Sequence, residues 1–105
     1  MPSFGEIISE KRKEIGISQK ELSAQIVKED GQPISPQYLN DLERDRRNVP
    51  DEYLIEQFSK VLLIPAEQLY YCAGELAPDM KEADVDEDLV LEAYTAFRKV
   101  INKQR

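Results

Sequence analysis

The sequence predicts an all-α fold, and three observations favour this class. The chain has 105 residues, which is long enough for one domain with a core that needs neither disulfides nor metals. Hydrophobic residues make up 41% of it, with only 6 prolines and 4 glycines, a composition that argues against disorder. Apolar residues recur at helical spacing, and no stretch alternates between apolar and polar residues for long.

The first predicted helix begins at a capping sequence and ends at a glycine. Ser3 and Glu6 have the three-residue separation of a capping box, in which each side chain binds the other's backbone amide. Ile8 and Ile15 then lie on one helical face, and Gly16 suits the left-handed residue that follows a helix.

Two short helices follow in close succession. Ser18 and Glu21 form a second capping box, and the helix that they begin runs on through Ile26. Residues 28–33 are a polar turn containing Asp-Gly. A third helix, 36–44, starts with a proline, which suits the first helical position because no amide hydrogen is needed there.

The sequence pattern after residue 44 predicts three more helices, and it divides the protein into two parts. Asp51 caps a fourth helix, and Pro65 opens a short fifth helix that stops at Gly74. We assign residues 1–76 to one domain, and 77–105 to a polar linker and a C-terminal amphipathic helix.

The composition makes catalysis improbable. The chain has no His, which is the commonest general base and metal ligand, and its one cysteine, Cys72, has no activating partner. Cys72 is therefore expected to be a small core or interface residue, and it suits a reducing cytoplasm. We expect no catalytic residue, no metal, no cofactor and no membrane segment, and the N-terminus lacks the features of a signal peptide.

The net charge of −7 is unfavourable for binding nucleic acid, but the charge is unevenly distributed. Residues 1–50 carry 8 basic and 9 acidic groups, whereas residues 51–85 carry 2 and 8. The acidity is therefore concentrated in the middle of the chain, and its N-terminal half has to be judged locally.

The second and third helices have the arrangement of a helix-turn-helix, in which the second helix of the pair enters the major groove. The polar residues near the start of the third helix would then meet base edges: Pro36, Gln37, Asn40 and Asp41. Gln and Asn side chains can bind adenine through two hydrogen bonds, and Asp can accept one from cytosine.

This region resembles the Xre/Cro family of phage-repressor-like DNA-binding domains. The resemblance covers residues 4–72 and is carried by four segments: 4–12, 16–22, 34–44 and 47–50. It implies a five-helix phage-repressor-like domain, here with an additional C-terminal helix. It also implies a homodimer on a palindromic operator in double-stranded DNA.

The resemblance also assigns roles to individual residues. Gln37 and Asp41 match base-reading positions, and Asn40 lies between them, within reach of a base or a phosphate. The matches to phosphate-binding positions are Gln19, Arg44, Arg46 and Arg47. Arg12 and Glu43 match a partly buried ion pair that ties the first helix to the third. Without the resemblance, Arg44, Arg46 and Arg47 would be interpreted simply as a solvated charge cluster.

Some positions depart from the family. The turn before Ser35 is about six residues longer than usual, so either the second helix is longer or the loop bulges, which would let Lys28 touch phosphate. Asp45 and Leu63 replace glycines that commonly end helices, and the charge of Asp45 would face the phosphates. Asp41 must read cytosine, orient Arg44 or weaken binding.

Other side chains have two possible roles. Tyr38 either reaches a phosphate or packs beside Leu42. The last helix, about 86–102, has an apolar stripe too wide to stand alone in water, so it folds back on the first and fifth helices or pairs with a second copy, which we favour. The candidate dimer-interface residues are Tyr70, Tyr71, Tyr94, Phe97 and Ile101.

These observations favour a sequence-specific transcriptional regulator, of repressor type, that reads DNA with helix 36–44. The alternative is a protein-interaction module, such as an antitoxin or an adaptor, that keeps the fold but binds DNA weakly. The net charge and the acids of the third helix motivate that alternative, which would have a protein partner.

Overall fold

The computed structural model describes residues 2–103 and contains seven helices within that range. They are α1 (Phe4–Ile15), α2 (Gln19–Gln25), α3 (Pro36–Glu43), α4 (Glu52–Leu62), α5 (Ala66–Cys72), α6 (Pro78–Glu82) and α7 (Glu87–Lys103). Helices α1–α5 enclose one hydrophobic core, so the predicted all-α class is confirmed. No helix of residues 2–103 is both long enough and apolar enough to cross a membrane.

Side-chain caps start five of these helices, α7 through Asp86 and the four given below, because their first backbone N–H groups have no partner inside the helix. In each case the capping oxygen accepts a hydrogen bond from the N–H three residues ahead; the caps are Ser3, Ser18, Ser35 and Asp51. Ser18 and Glu21 form both bonds of the predicted second capping box. Local sequence therefore sets where the helices begin.

The longer turn between α2 and α3 is a small hairpin and not an extension of α2. The Ile34 N–H donates to the carbonyl of Ile26, and the Lys28 N–H donates to that of Gln32, both at 2.9 Å. Gly31 takes a left-handed conformation (φ 89°) at the tip. Ile26 and Ile34 are both buried, so the hairpin is anchored to the core at its base.

Gly5 allows the end of α3 to approach α1 closely. A Cβ atom at this position would lie 2.3 Å from the carbonyl oxygen of Leu42. The carboxylate of Asp45, which has a left-handed backbone (φ 56°), accepts hydrogen bonds from the Gly5 N–H (3.1 Å) and the Ser3 hydroxyl (2.6 Å). The Asp45 charge, which was expected to face phosphates, is thus engaged by the N-terminus of α1, where the helix dipole favours an anion.

Leu63 ends α4 in a left-handed conformation (φ 57°), which costs about 1 kcal/mol for a residue with a Cβ. Its side chain is 81% exposed, so little apolar contact is lost on truncation. We expect Leu63→Gly to raise the free energy of unfolding by about 1 kcal/mol, measured by urea denaturation. Leu62→Gly is the opposing control, because Leu62 is buried in helical conformation and its loss should destabilise strongly.

One predicted interface residue belongs to the core. Tyr70 is only 2% exposed, and its hydroxyl donates a hydrogen bond to Glu56 at 3.1 Å. Burial and this contact with a carboxylate raise the pKa of Tyr70 to about 12. The prediction that Tyr70 lies in a dimer interface is therefore wrong, whereas the neighbouring Tyr71 is exposed.

The segment after α5 is more ordered than the predicted linker. It contains α6, with Pro78 at its start, and Lys81 of this helix pairs with Glu75 (2.5 Å) and Glu52 (3.8 Å). Helix α7 has no buried residue; Phe97 contacts the ring of Tyr71 of α5, with the centroids 6.0 Å apart.

Candidate nucleic-acid interface

Helix α3 is held to the core by one side and presents polar residues on the other. Leu39 and Leu42 are fully buried and fix the inner side. The polar residues that the sequence places on the other side are Pro36, Gln37, Asn40, Asp41 and Arg44, which we call the outer face of α3. Pro36, Gln37 and Arg44 are exposed, while Asn40 and Asp41 are half-buried. The outer face is therefore accessible, as the sequence predicted.

Asp41 contacts two side chains, those of Gln37 and Arg47, at one edge of the outer face. Its Oδ1 accepts a hydrogen bond from the Gln37 amide nitrogen (3.1 Å), and its Oδ2 pairs with Arg47 Nε (3.5 Å). The Arg47 guanidinium also lies over the Tyr38 ring, 5.7 Å from its centroid. Asp41 thus orients Gln37 and Arg47, and not Arg44 as one sequence-based alternative had it.

The opposite edge is supported by a buried ion pair. Arg12 of α1 binds Glu43 of α3 through two hydrogen bonds, Nε to Oε2 at 2.7 Å and a terminal nitrogen to Oε1 at 3.0 Å. A further bond joins Arg12 to the carbonyl of Ile17 (2.9 Å). The predicted structural ion pair is confirmed, and it joins α1, α3 and the segment that precedes α2.

Gln19 extends this pair to the surface. Its amide nitrogen donates to Glu43 Oε1 (3.0 Å) and to Asn40 Oδ1 (3.2 Å). Burial raises the pKa of Glu43, but the hydrogen bonds from Arg12 and Gln19 and the Arg12 charge outweigh it, so the pKa is lowered overall. Because its oxygen is engaged by Gln19, Asn40 has its amide N–H donors left for a ligand.

A polar hollow of about 300 Å³ lies beside this edge. It is lined by Ser9, Arg12, Lys13, Gln19, Asn40, Glu43 and Arg44. The sequence predictions had not included Ser9 or Lys13, since nothing in the local sequence distinguishes them from the other polar residues of α1. With Lys13, Arg44 and N–H donors at its wall, the hollow can accept an anion such as a phosphate.

The acids of the α3 region are each compensated within the protein. Asp41 pairs with Arg47, Glu43 with Arg12, and Asp45 with the N-terminus of α1. Within residues 2–103, Arg44 and Arg46 form no ion pair with these carboxylates. The surface around the outer face is therefore more cationic than the net charge of the chain suggests.

Two further predicted phosphate contacts, Lys28 and Arg46, do not line the hollow. Lys28 is on the α2–α3 hairpin, where it is exposed and 4.0 Å from the carboxylate of Asp30. Arg46 is exposed immediately after α3, and its N–H bonds the carbonyl of Asp41 (2.8 Å). The structure thus brings together Gln19, Asn40 and Arg44 at one edge of α3, and Tyr38, Asp41 and Arg47 at the other.

Two short helices, an intervening turn and an exposed polar face on the second helix define a helix-turn-helix protein. The HTH_3 family model, described as helix-turn-helix, matches residues 8–69. The chain belongs to this family, which is the Xre/Cro type of DNA-binding transcriptional regulator.

A solved structure extends the likeness beyond the matched region. A chain of the "SinR protein/SinI protein complex" is 27% identical in sequence, with a TM-score of 0.53, and the likeness covers 96% of this chain and 93% of that one. Among curated proteins no match to the sequence was found.

Proposed function

We propose that this protein is a sequence-specific transcriptional repressor that occupies a palindromic operator as a homodimer in the cytoplasm, without catalysis. The observation that carries the proposal is the outer face of α3, which is exposed, polar and bordered by arginines whose neighbouring acids are compensated. A dimer would set two such helices about 34 Å apart, one helical turn of DNA.

In this proposal Gln37 reads adenine. Its amide nitrogen keeps one hydrogen for the base while the other binds Asp41, and its oxygen accepts from the adenine amino group. Asp41 orients Gln37 through their hydrogen bond. A direct contact between Asp41 and a cytosine is the alternative role of this residue. Asn40 and Pro36 complete the contact with base edges.

Phosphates would bind on both sides of α3. The hollow at Lys13 and Arg44 would take one of them, beside the N-terminus of α2 that carries Gln19. Arg46, Arg47 and the Tyr38 hydroxyl would take another, and Lys28 would touch a more distant one. These contacts position α3 but carry no sequence information.

Two variants test the division between base and phosphate contacts. We expect Gln37→Ala to cost about 1–3 kcal/mol at one base position and to remove the preference there, whereas Arg47→Ala should weaken binding to all sequences alike. A binding sequence is first selected from random DNA. The affinity of each protein variant for this sequence and for its single-base variants then gives both the loss of affinity and the loss of base preference. Gln68→Ala, at an exposed position of α5, is the control for Gln37→Ala. An unchanged base preference in Gln37→Ala would refute the assignment of the reading residue.

The second candidate function is a protein-interaction module with weak affinity for DNA. The exposed apolar stripe of α7 and the net charge of −7 favour it, as does the similarity to a chain from a complex of two different proteins. The partner would be a helical protein with a complementary apolar face.

Salt dependence separates the two candidates. A dimeric regulator with several cationic contacts per subunit should lose about a thousand- to a hundred-thousandfold in DNA affinity between 50 mM and 200 mM salt. Gel-shift titrations over this range measure the slope, with a scrambled duplex as the control. No shift even at low salt, together with a stable complex with another protein, would support the interaction module instead.

A further inference from the structure

Helix α7 carries an unpartnered apolar stripe. Its members are between 40% and 61% exposed: Leu89, Val90, Tyr94, Phe97, Val100 and Ile101. The contact between Phe97 and Tyr71 leaves both rings about half exposed, so Tyr71 continues the same apolar surface onto α5. A helix of 17 residues with one exposed apolar face gains most of its stability from a covering partner.

The charges of α7 are separated along its length. The acids lie in its first half, at Glu87, Asp88 and Glu92, and the bases in its second half, at Arg98, Lys99 and Lys103. Two copies side by side in the parallel sense would bring acid beside acid and base beside base. In the antiparallel sense each acidic half lies beside a basic half, and the two helix dipoles also oppose each other favourably.

The apolar stripe is symmetric about the middle of the helix. If a two-fold axis passes between Thr95 and Ala96, Val90 lies level with Ile101 of the second copy. The same operation brings the Tyr94 and Phe97 rings of the two copies together at the centre. The stripe is therefore complementary to itself when one helix is reversed.

We propose that α7 pairs antiparallel with α7 of a second copy of this chain, with a two-fold axis near Thr95. The proposal rests on the homodimer of the proposed function and adds its interface and orientation. Both copies use the same surface, so the assembly closes at two. Tyr71 lies at the rim of the interface, next to Phe97.

Disulfide trapping in the full chain tests the orientation. In a Cys72→Ser background, an equimolar mixture of Val90→Cys and Ile101→Cys should oxidise to the mixed disulfide dimer. Val90→Cys alone should not cross-link, because in the antiparallel pair its two copies lie roughly 16 Å apart along the axis, and a disulfide needs Cα atoms within about 7 Å. A dimer cross-linked by Val90→Cys alone would overturn the proposal in favour of parallel pairing.

Charge reversal provides the second measurement. Sedimentation equilibrium should show a wild-type dimer and about a tenfold higher dissociation constant for the double variant Glu87→Lys, Glu92→Lys. In a parallel pair the same change would replace acid repulsion by base repulsion and leave the constant unaltered, which would contradict the proposal. The control is Glu10→Lys, Glu14→Lys on α1, with the same change in net charge.

The oligomeric result is distinguishable from the DNA result. A monomeric wild-type chain at all concentrations would overturn the antiparallel pair and the homodimer. If that monomer bound DNA with a base preference, the proposal that α3 contacts the bases would still hold. Loss of base specificity in a chain that remains an antiparallel dimer would refute the reading role alone.

Discussion

Replacing Glu43 with alanine is expected to lower the free energy of unfolding by about 3–5 kcal/mol. The side chains of Arg12 and Glu43 are only 11% and 4% exposed, so removing the carboxylate leaves a buried guanidinium without its counter-charge. Gln19 also loses an acceptor at the foot of the outer face of α3. Chemical denaturation monitored by circular dichroism measures the loss.

The double variant Arg12→Met, Glu43→Leu separates the cost of the unpaired charge from the worth of the pair. We expect it to recover most of the lost stability, because it leaves no buried ion and fills a similar volume. Glu10→Ala, which removes an exposed acid of α1, is the control and should change stability by no more than about 0.5 kcal/mol. Equal losses in Glu43→Ala and Glu10→Ala would show that the pair contributes nothing.

The same pair gives the stability a defined dependence on pH. The folded-state pKa of Glu43 is lowered from its ordinary value of 4.5, so its contribution is present in full above that value. It is lost as the pH falls below 4.5 and through the folded-state pKa. In the double variant Arg12→Met, Glu43→Leu, the part of the stability loss at acidic pH that is due to Glu43 should be absent.

The second large effect is expected at Gly5. An alanine in the middle of a helix normally stabilises by about 1 kcal/mol relative to glycine. Here the added Cβ would lie 2.3 Å from the Leu42 carbonyl and 2.6 Å from the Asp45 carboxylate. Because the nearest atom is backbone and cannot rotate away, we expect Gly5→Ala to destabilise by about 3 kcal/mol and to displace the end of α3.

Ala24→Gly is the matched control for Gly5→Ala. Ala24 is an exposed residue of α2, so this variant measures the intrinsic difference between the two residues without a packing change. Urea denaturation should show that both variants have a lower free energy of unfolding than the wild type. The loss should be larger for Gly5→Ala, although this variant adds an alanine and Ala24→Gly removes one. A gain of stability in Gly5→Ala would show that α1 and α3 separate without cost.

Some features of this protein were predictable because they depend on neighbours in sequence. The hydroxyl of Ser18 and the carboxylate of Glu21 are one helical turn apart, so the cap they form needs no distant partner. The apolar positions of α3, such as Leu39 and Leu42, likewise determine which side of that helix faces the core. The start of each early helix and the composition of the outer face of α3 follow from such local rules.

Other features depended on residues far apart in sequence. Asp45 was expected to face phosphates, yet it caps α1 because the chain returns to Gly5 there. Tyr70 and Tyr71 are adjacent and chemically identical, and only the position of α5 against α4 makes one a core residue and the other exposed.

The sequence by itself determined the all-α class, the helix starts and the helix-turn-helix, because capping and periodic apolar spacing act within a few residues. Tertiary structure alone decided how Asp45 is compensated, whereas the pairing of Glu43 with Arg12 was predicted only through the family resemblance. Electrostatic partners are chosen by distance in space, and the partners of Glu43 and Asp45 lie on α1, some 30 to 40 residues away in sequence. That compensation is the reason why an acidic chain retains a cationic surface around α3.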